Sequence, residues 1–442
     1  MEHSRLESIS IKNLFGIIPE HLINLHTDGI TFIHGPNGCG KTTCLRLIDA
    51  IFNWQFSVIR EIVFESIEVR KSDGDKLLIR KNNYLSNNLS EMPITFKMNA
   101  KEYEHKIETI PPRVRLSTIE IEDTFPHLVR HSPREWEDTK QGIILSYDEV
   151  LDKYFDYISK EALPDFIKNF IDSVNLHFIK TQRLIKINES SLKRSRLAER
   201  IDPNVIQEYS QEIKTLINVK LAEQASVSQQ RDRTFPSRLL NFAVDREKTE
   251  EEIRKIYSGI EAKTQKLVDA GLVEEQVDID LPNRVLDISE KRVLTLYLED
   301  IQHKLSVFNE LQNQIEIFLT IINSKFKSKN LSINRENGFC IKIEKESNKI
   351  NLLPTQLSSG EQHQIVLFYE LIFKSSENSM FLIDEPEISL HVDWQRMFVE
   401  DIHKIASLGN RQFLIATHSP QIIGNNREVA IALDSGILDG SN

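Results

Sequence analysis

Residues 35–42 read GPNGCGKT, and the run before them, GITFIHG (29–35), is short, β-rich and closed by glycine. The run that follows, KTTCLRLIDAIF (41–52), has helical spacing. Strand, glycine-rich turn and helix form the setting that gives GxxxxGK[ST] its meaning. Glycines let successive backbone N–H groups point inward around phosphate oxygens, and the helix N-terminus adds favourable dipole charge. Gly35, Pro36, Asn37, Gly38, Cys39 and Gly40 form the candidate cradle, continued by Lys41, Thr42 and Thr43. Lys41 would reach the β- and γ-phosphates, and the Thr42 hydroxyl would ligate magnesium. ATP and magnesium are the expected cofactors. The thiols of Cys39 and Cys44 read as small packing groups.

Four further stretches extend this reading. MFLIDEPE (380–387) is an apolar strand ending in two carboxylates. Beside a phosphate loop, Asp384 would hold magnesium and Glu385 would polarise the attacking water. ATHSP (416–420) follows another apolar strand, FLI, and puts His418 at a strand end, where α/β folds place their ligands. A γ-phosphate contact is the role expected of it, against the commoner reading of a lone histidine as structural. KTQRL (180–184) sets Gln182 at a third strand end, a weak signal by itself; the assignment is to catalysis and to the metal. LSSGEQHQ (357–364) looks like a helix opening, yet Ser358-Ser359-Gly360 offers more donor-rich backbone than an N-cap needs.

Taken in order, the phosphate loop, strand-end Gln, LSSGE, Asp-Glu and strand-end His resemble the ATP-binding cassette (ABC) ATPases. The resemblance implies a helix N-terminus used in trans: Ser358, Ser359, Gly360 and Glu361 would complete the nucleotide site of a second copy, in a head-to-tail dimer. Ser359 stands where the family has its first glycine and Glu361 where it has glutamine; the glutamate is familiar in SMC-type heads. Between Gln182 and Ser358 lie 358 − 182 = 176 positions. That spacing is similar to SMC, RecF and OLD-like heads, though too short for a long SMC arm and without a CxxC zinc hook. DEPEISLH followed by WQ also resembles the OLD-like and RecF-like group, with Ser389-Leu390-His391 as its D-loop. FPHLVRHSPREWEDTKQGIILSYDEVL (125–151), KTQRL and DRTFPSRLL (232–240) resemble bacterial phage-defence ATPases of the Septu PtuA type, including retron-associated relatives, and of the PARIS AriA type. OLD proteins carry a TOPRIM nuclease domain after the head; with 24 residues beyond His418 (442 − 418), none is expected here. The resemblance therefore implies an ATP-driven sensor or regulator of an antiviral system. It would control a separate effector nuclease of HNH or TOPRIM type and answer to a nucleic acid or a phage-derived trigger.

The rest of the chain sets the frame. The first 35 residues and the stretch from about 58 to 108 alternate in short runs, which predicts strands and an antiparallel β layer; 148–175 read as helical. From about 190 to 325 glycine is scarce and charge dense. Ile301, Leu305, Phe308, Leu311, Ile315, Phe318 and Ile322 step by 4, 3, 3, 4, 3 and 4, a coiled-coil stripe expected on one long helix and open to self-association. TFPSRLLN (234–241) and LPN (281–283) read as breaks between helices. The fold class is α/β: an ABC-type head with a mixed sheet and an antiparallel β subdomain, its lobes at 1–185 and 336–442, interrupted by a helical insertion at 186–335. A net charge of −11 argues against a surface that coats nucleic acid generally. Three cysteines make no disulfide framework, and no apolar run or leader suggests a membrane or export, so a cytoplasmic protein is expected. Two other classes stay open. One is a RecF-like DNA clamp, with Lys193, Arg194, Arg196, Arg200 and SKFKSKN (324–330) as basic faces; the other is a scaffold that holds nucleotide with little turnover.

Overall fold

The computed structural model describes residues 5–82, 93–99, 101–106, 117–132, 135–139, 143–180, 203–242, 248–273, 281, 284–345, 348–375, 378–424 and 426–433. The chain divides into two compact units, residues 1–183 with 375–442, and residues 184–374.

The first unit contains two large sheets of opposite character. One is antiparallel throughout: β1 (Leu6–Leu14), β2 (Ile18–Asn24), β4 (Ser66–Lys71), β5 (Lys76–Lys81), β6 (Pro93–Met98) and β7 (Lys101–Lys106) run in the order β2-β1-β4-β5-β6-β7. The alternation of LESISIKNL appears as alternating burial, with Leu6, Ile9, Ile11 and Leu14 inside. The other sheet is parallel throughout: β3 (Ile30–His34), β11 (Asn175–Lys180), β15 (Ser379–Asp384), β16 (Gln412–Ala416) and β17 (Ala430–Ala432), in the order β11-β15-β16-β3-β17. Its central strands are apolar runs rather than alternating ones, because both faces are covered. Helix α1 (Lys41–Phe52) contributes Cys44, Leu45, Leu47, Ile48 and Ile51 to the shared core. Residues 58–61, at the start of the stretch read as alternating strands, belong instead to helix α2 (Phe56–Glu61). Asp156 accepts from the Ser57 amide and hydroxyl and so supports its first turn.

The stretch 125–151 builds a small sheet of β8 (Leu128–Ser132), β9 (Glu135–Asp138) and β10 (Ile143–Ser146). With α3 (Thr118–Thr124) and the start of α4 (Tyr147–Ala162) it encloses its own cluster of Ile121, Leu128, Trp136, Leu145 and Val150. Helix α5 (Asp165–Asp172) leads into β11, and α11 (Val392–Ala406) and α12 (Pro420–Ile423) flank β16.

The second unit comprises α6 (Pro203–Leu240), α7 (Glu250–Asp269), α8 (Ile288–Ser306), α9 (Asn309–Lys325), a three-stranded sheet of β12 (Lys329–Asn334), β13 (Gly338–Lys345) and β14 (Asn348–Leu352), and α10 (Ser359–Phe373). Three sequence expectations change here. The apolar stripe crosses two helices, not one. Leu305, Phe308 and Leu311 make two three-residue steps in succession, which would swing a straight α-helix face by about 120° at 3.6 residues per turn. The chain tightens at that point, with the Phe308 N–H donating to the Leu305 carbonyl at 3.2 Å, and so keeps all three residues inside. All seven stripe residues are buried within the chain, so they present no free seam for self-association.

α6 ends at Leu240, within TFPSRLLN, but runs four residues past Pro236, so the break falls at the end of that stretch and not at the proline. The proline lies in the last turns, where Thr234 Oγ1 also reaches the Gln230 carbonyl at 3.0 Å and Arg238 the Arg231 carbonyl at 2.8 Å. The lysines of SKFKSKN form no continuous basic face. Lys325 is buried, its Nζ 5.1 Å from the Phe368 ring centre, and Lys329 pairs with Glu361. Leu281 lies between α7 and α8 as LPN implied, whereas Lys193, Arg194, Arg196, Arg200 and Gln182 fall outside the described residues.

Candidate active site

β3 ends at His34 and hands the chain to the glycine loop. Gly38 and Gly40 have φ of +85° and +91°, the left-handed region in which a side chain is strained. Gly35 is required for a different reason: a Cβ there would lie 2.4 Å from the Leu433 carbonyl oxygen and 2.9 Å from Cys39 Sγ. Lys41 opens α1 and is only 5% exposed. Its ammonium folds back on the loop, donating to the carbonyls of Gly35 (3.0 Å) and Pro36 (3.1 Å). Beneath the loop, buried His21 of β2 donates through Nε2 to the Cys39 carbonyl at 2.9 Å. Cys39 and Cys44 are buried, and burial, then Cys39 beside it, pushes the Cys44 thiol up to about 12. Both stay packing groups.

Strand order then assembles the remaining chemistry. β15 lies beside β16, and β16 beside β3, so three strand ends meet on one edge of the parallel sheet. Thr42 Oγ1 donates to Asp384 Oδ1 at 3.1 Å across 342 positions of sequence. Burial holds the Asp384 carboxyl above its usual range, with Glu385 and Glu387 adding to the rise and Thr42 and Lys41 opposing it. Glu385 adopts φ +48°, a left-handed position for a residue with a side chain, and its N–H donates to the Ala416 carbonyl at 2.9 Å. His418 Nε2 stands 3.9 Å from Glu385 Oε1. β11 ends at Lys180, in register with Asp384, two positions before Gln182. A cleft of about 400 Å³ opens beside the loop, bounded by Gly35, Thr417, His418 and Arg427 among others.

Sequence reasoning missed Glu387, Thr417 and Gln395. The Glu387 carboxylate accepts from the His418 N–H at 2.6 Å and from Thr417 Oγ1 at 2.9 Å. Gln395 Nε2 donates to the Leu390 carbonyl at 3.1 Å, while its Oε1 accepts from Ser419 Oγ at 2.7 Å. The third acid of DEPE was the available signal, but nothing in the linear order shows what it faces. In the D-loop stretch, Leu390 is buried and His391 caps α11 through Nδ1.

The signature residues belong to the 184–374 unit. Ser358 is the N-cap of α10 and forms a capping box with Glu361; the Glu361 carboxylate accepts from the Ser358 N–H at 2.8 Å and from its hydroxyl at 2.9 Å. Lys329 Nζ lies 3.0 and 2.7 Å from the two Glu361 oxygens. Burial works against the ionised form, yet Lys329 and Ser358 hold this carboxyl below its usual range. Ser359 is exposed in the first turn, with Gly360 half-buried beside it.

The model of the AAA ATPase domain family matches residues 5–423. The chain belongs to that family. It is therefore an ATPase by family. Among curated proteins it is similar to UvrABC system protein A of Borreliella burgdorferi, 30% identical over 118 residues, which make up 27% of this chain and 12% of that protein. It is also similar to the lipoprotein-releasing system ATP-binding protein LolD of Buchnera aphidicola, 28% identical over 127 residues, 29% of this chain and 52% of LolD. The chain thus spans about an eighth of the first relative and about half of the second. Among solved structures, the Smc head domain of Pyrococcus furiosus bound to the C-terminal domain of ScpA aligns over 98% of this chain and 94% of that one, at 14% identity and a TM-score of 0.39. The SMC head domain from Thermotoga maritima aligns over 96% and 92%, at 11% identity and a TM-score of 0.32. No helix among the described residues is long and apolar enough to cross a membrane.

Proposed function

We propose that this ATPase hydrolyses ATP at a composite site, its phosphate loop working with the Ser358–Glu361 segment of a second copy in a head-to-tail dimer. The observation that carries the reading is the meeting of Thr42 with Asp384, flanked by Glu385 and His418, at the end of one parallel sheet. The residues present fit the cofactors. Left-handed Gly38 and Gly40, with Gly35 leaving no room for a Cβ, suit a phosphate cradle, and a hydroxyl beside a half-buried carboxylate suits magnesium. Thr42 and Asp384 would hold the ion, with Gln182 as a further ligand. When bound, magnesium supplies positive charge to the β- and γ-phosphate oxygens. Lys41 would leave the Gly35 and Pro36 carbonyls to reach phosphate. Glu385 would take the proton of the attacking water, and His418 would orient the γ-phosphate end of the site. Ser358 and Gly360 would present amides of the α10 N-terminus to the second copy's nucleotide.

The resemblance of 125–151, 180–184 and 232–240 to phage-defence ATPases supports a finer reading. Turnover would serve as the sensor or regulator of an antiviral system, acting on a separate HNH- or TOPRIM-type nuclease after a nucleic-acid or phage-derived trigger. Affinity capture of a nuclease with the tagged wild-type protein, lost in Lys41→Ala, would support it. DNA-stimulated turnover with no partner captured would favour a RecF-like or SMC-like clamp instead.

The test of the chemistry is Glu385→Gln. It should bind ATP with wild-type affinity and hydrolyse it at least about tenfold more slowly, the low end of what a general base contributes. Wild-type turnover in that variant would remove Glu385 from the role.

A further inference from the structure

We infer that Glu387 is a positioning residue for the ATPase reaction, fixing the His418 loop at its place beside Glu385. The inference rests on the roles proposed above for those two residues and adds what holds them. His418 Nε2 and Glu385 Oε1 are 3.9 Å apart, too far for a hydrogen bond to set the imidazole. The backbone sets it. Glu387 takes the His418 N–H at 2.6 Å and the Thr417 hydroxyl at 2.9 Å, both charge-assisted and so roughly twice as strong as neutral bonds. Thr417 is fully buried, its N–H donates to the Ile33 carbonyl at 3.1 Å, and its hydroxyl accepts from the Ser419 N–H at 3.0 Å. Ser419 in turn donates to Gln395, whose amide reaches back to the Leu390 and Glu387 carbonyls. Residues 417–419 are thus fastened one after another to the turn that begins at Glu385.

Glu387 touches no nucleotide atom in this account. It acts through His418.

The experiment is a cycle of steady-state turnover and binding of a fluorescent ATP analogue for wild type, Glu387→Ala, Glu387→Gln, His418→Ala and the Glu387→Ala/His418→Ala double variant. Displacement of about 1 Å at a reacting centre can cost up to about a hundredfold. Glu387→Ala should therefore lose at least about tenfold in kcat with nucleotide affinity unchanged. Glu387→Gln, which keeps an acceptor for His418 and a partner for Thr417, should stay within about threefold of wild type, less than the cost of one lost hydrogen bond. In the His418→Ala background the Glu387→Ala change should add nothing, the mark of two residues acting as a unit. Wild-type kcat in Glu387→Ala, a Gln variant as slow as the Ala variant, or a full additional loss in the double variant would overturn the inference. Wild-type turnover in His418→Ala would instead remove His418 from the site, and Glu387's role would fall with it. Should Glu387→Ala fail to fold, Thr417→Val removes one of the two anchors, and an unchanged kcat there would overturn the proposal equally.

Discussion

A methyl group added at Gly35 would press on the Leu433 carbonyl at 2.4 Å; one added at Gly259, in the middle of α7, would meet nothing within 4 Å. The two glycines stand for the strand-end loops of the nucleotide site and for the helices of the other unit. In the first, the backbone itself is the working surface: loops pass so close to neighbouring strands that side chains are excluded, and even Glu385 accepts a left-handed φ. In the second, helices follow ordinary helix rules, with capping boxes at α7, α8 and α10 and ion pairs between neighbours. Chemistry is concentrated where local propensity is overruled, and framework where it is obeyed.

That contrast can be broken by experiment. Gly35→Ala should abolish binding of a fluorescent ATP analogue while leaving the far-ultraviolet circular dichroism unchanged, because its methyl group meets backbone that cannot yield cheaply. Retained binding would mean that the loop has slack absent from this account. A smaller effect, confined to the other unit, is expected at Asp300. This buried carboxylate receives both Arg238 nitrogens at 2.7 and 2.6 Å and joins α6 to α8. Asp300→Ala should lower unfolding free energy by about 2 kcal/mol, since it strands a half-buried guanidinium. Nucleotide affinity should not move.

The antiparallel sheet sharpens the comparison through pH. Burial lowers Lys81 to about 7 and Lys71 to about 8 as each ammonium is held on backbone carbonyls, Ile62 and Arg60 for Lys81 and Phe170 for Lys71. Between those values and the unfolded value near 10.5 the unfolded chain binds more protons, so stability rises as pH goes from 7 towards 10. Lys81→Met should flatten that slope in denaturant titrations at pH 7.5 and 9.5; an unchanged slope would mean that Lys81 keeps its solution value. The smallest effect reverses the first. Gly259→Ala should stabilise the protein by about 0.5–1 kcal/mol, the usual gain when glycine leaves a helix interior.

The same contrast explains what could be read from sequence. GPNGCGKT, the two acids after FLID and the strand-end histidine are local patterns whose spacing carries their geometry, and the structure brings Thr42, Asp384, Glu385 and His418 to one sheet edge. Glu387 was hidden because its partners lie 30 and 31 positions away and become neighbours only through the β15–β16 pairing. In the helical unit, periodicity grouped the stripe residues on one apolar face but showed neither that the chain itself covers that face nor the turn at Phe308; the consecutive three-residue steps were the overlooked clue. Pro236 marked the right stretch but not the helix end itself: α6 continues to Leu240, because a proline disturbs only the turn before it.

The central claim is that each nucleotide site is shared between two copies. It is tested most directly by mixing Lys41→Ala with Ser358→Arg, each inactive alone, and measuring ATP turnover of the equimolar mixture. Each mixed dimer keeps one site with an intact loop and an intact signature, so random pairing should restore about a quarter of wild-type turnover in a two-fold symmetric assembly. No recovery, with mixed dimers demonstrated by differently tagged chains, would contradict a shared site.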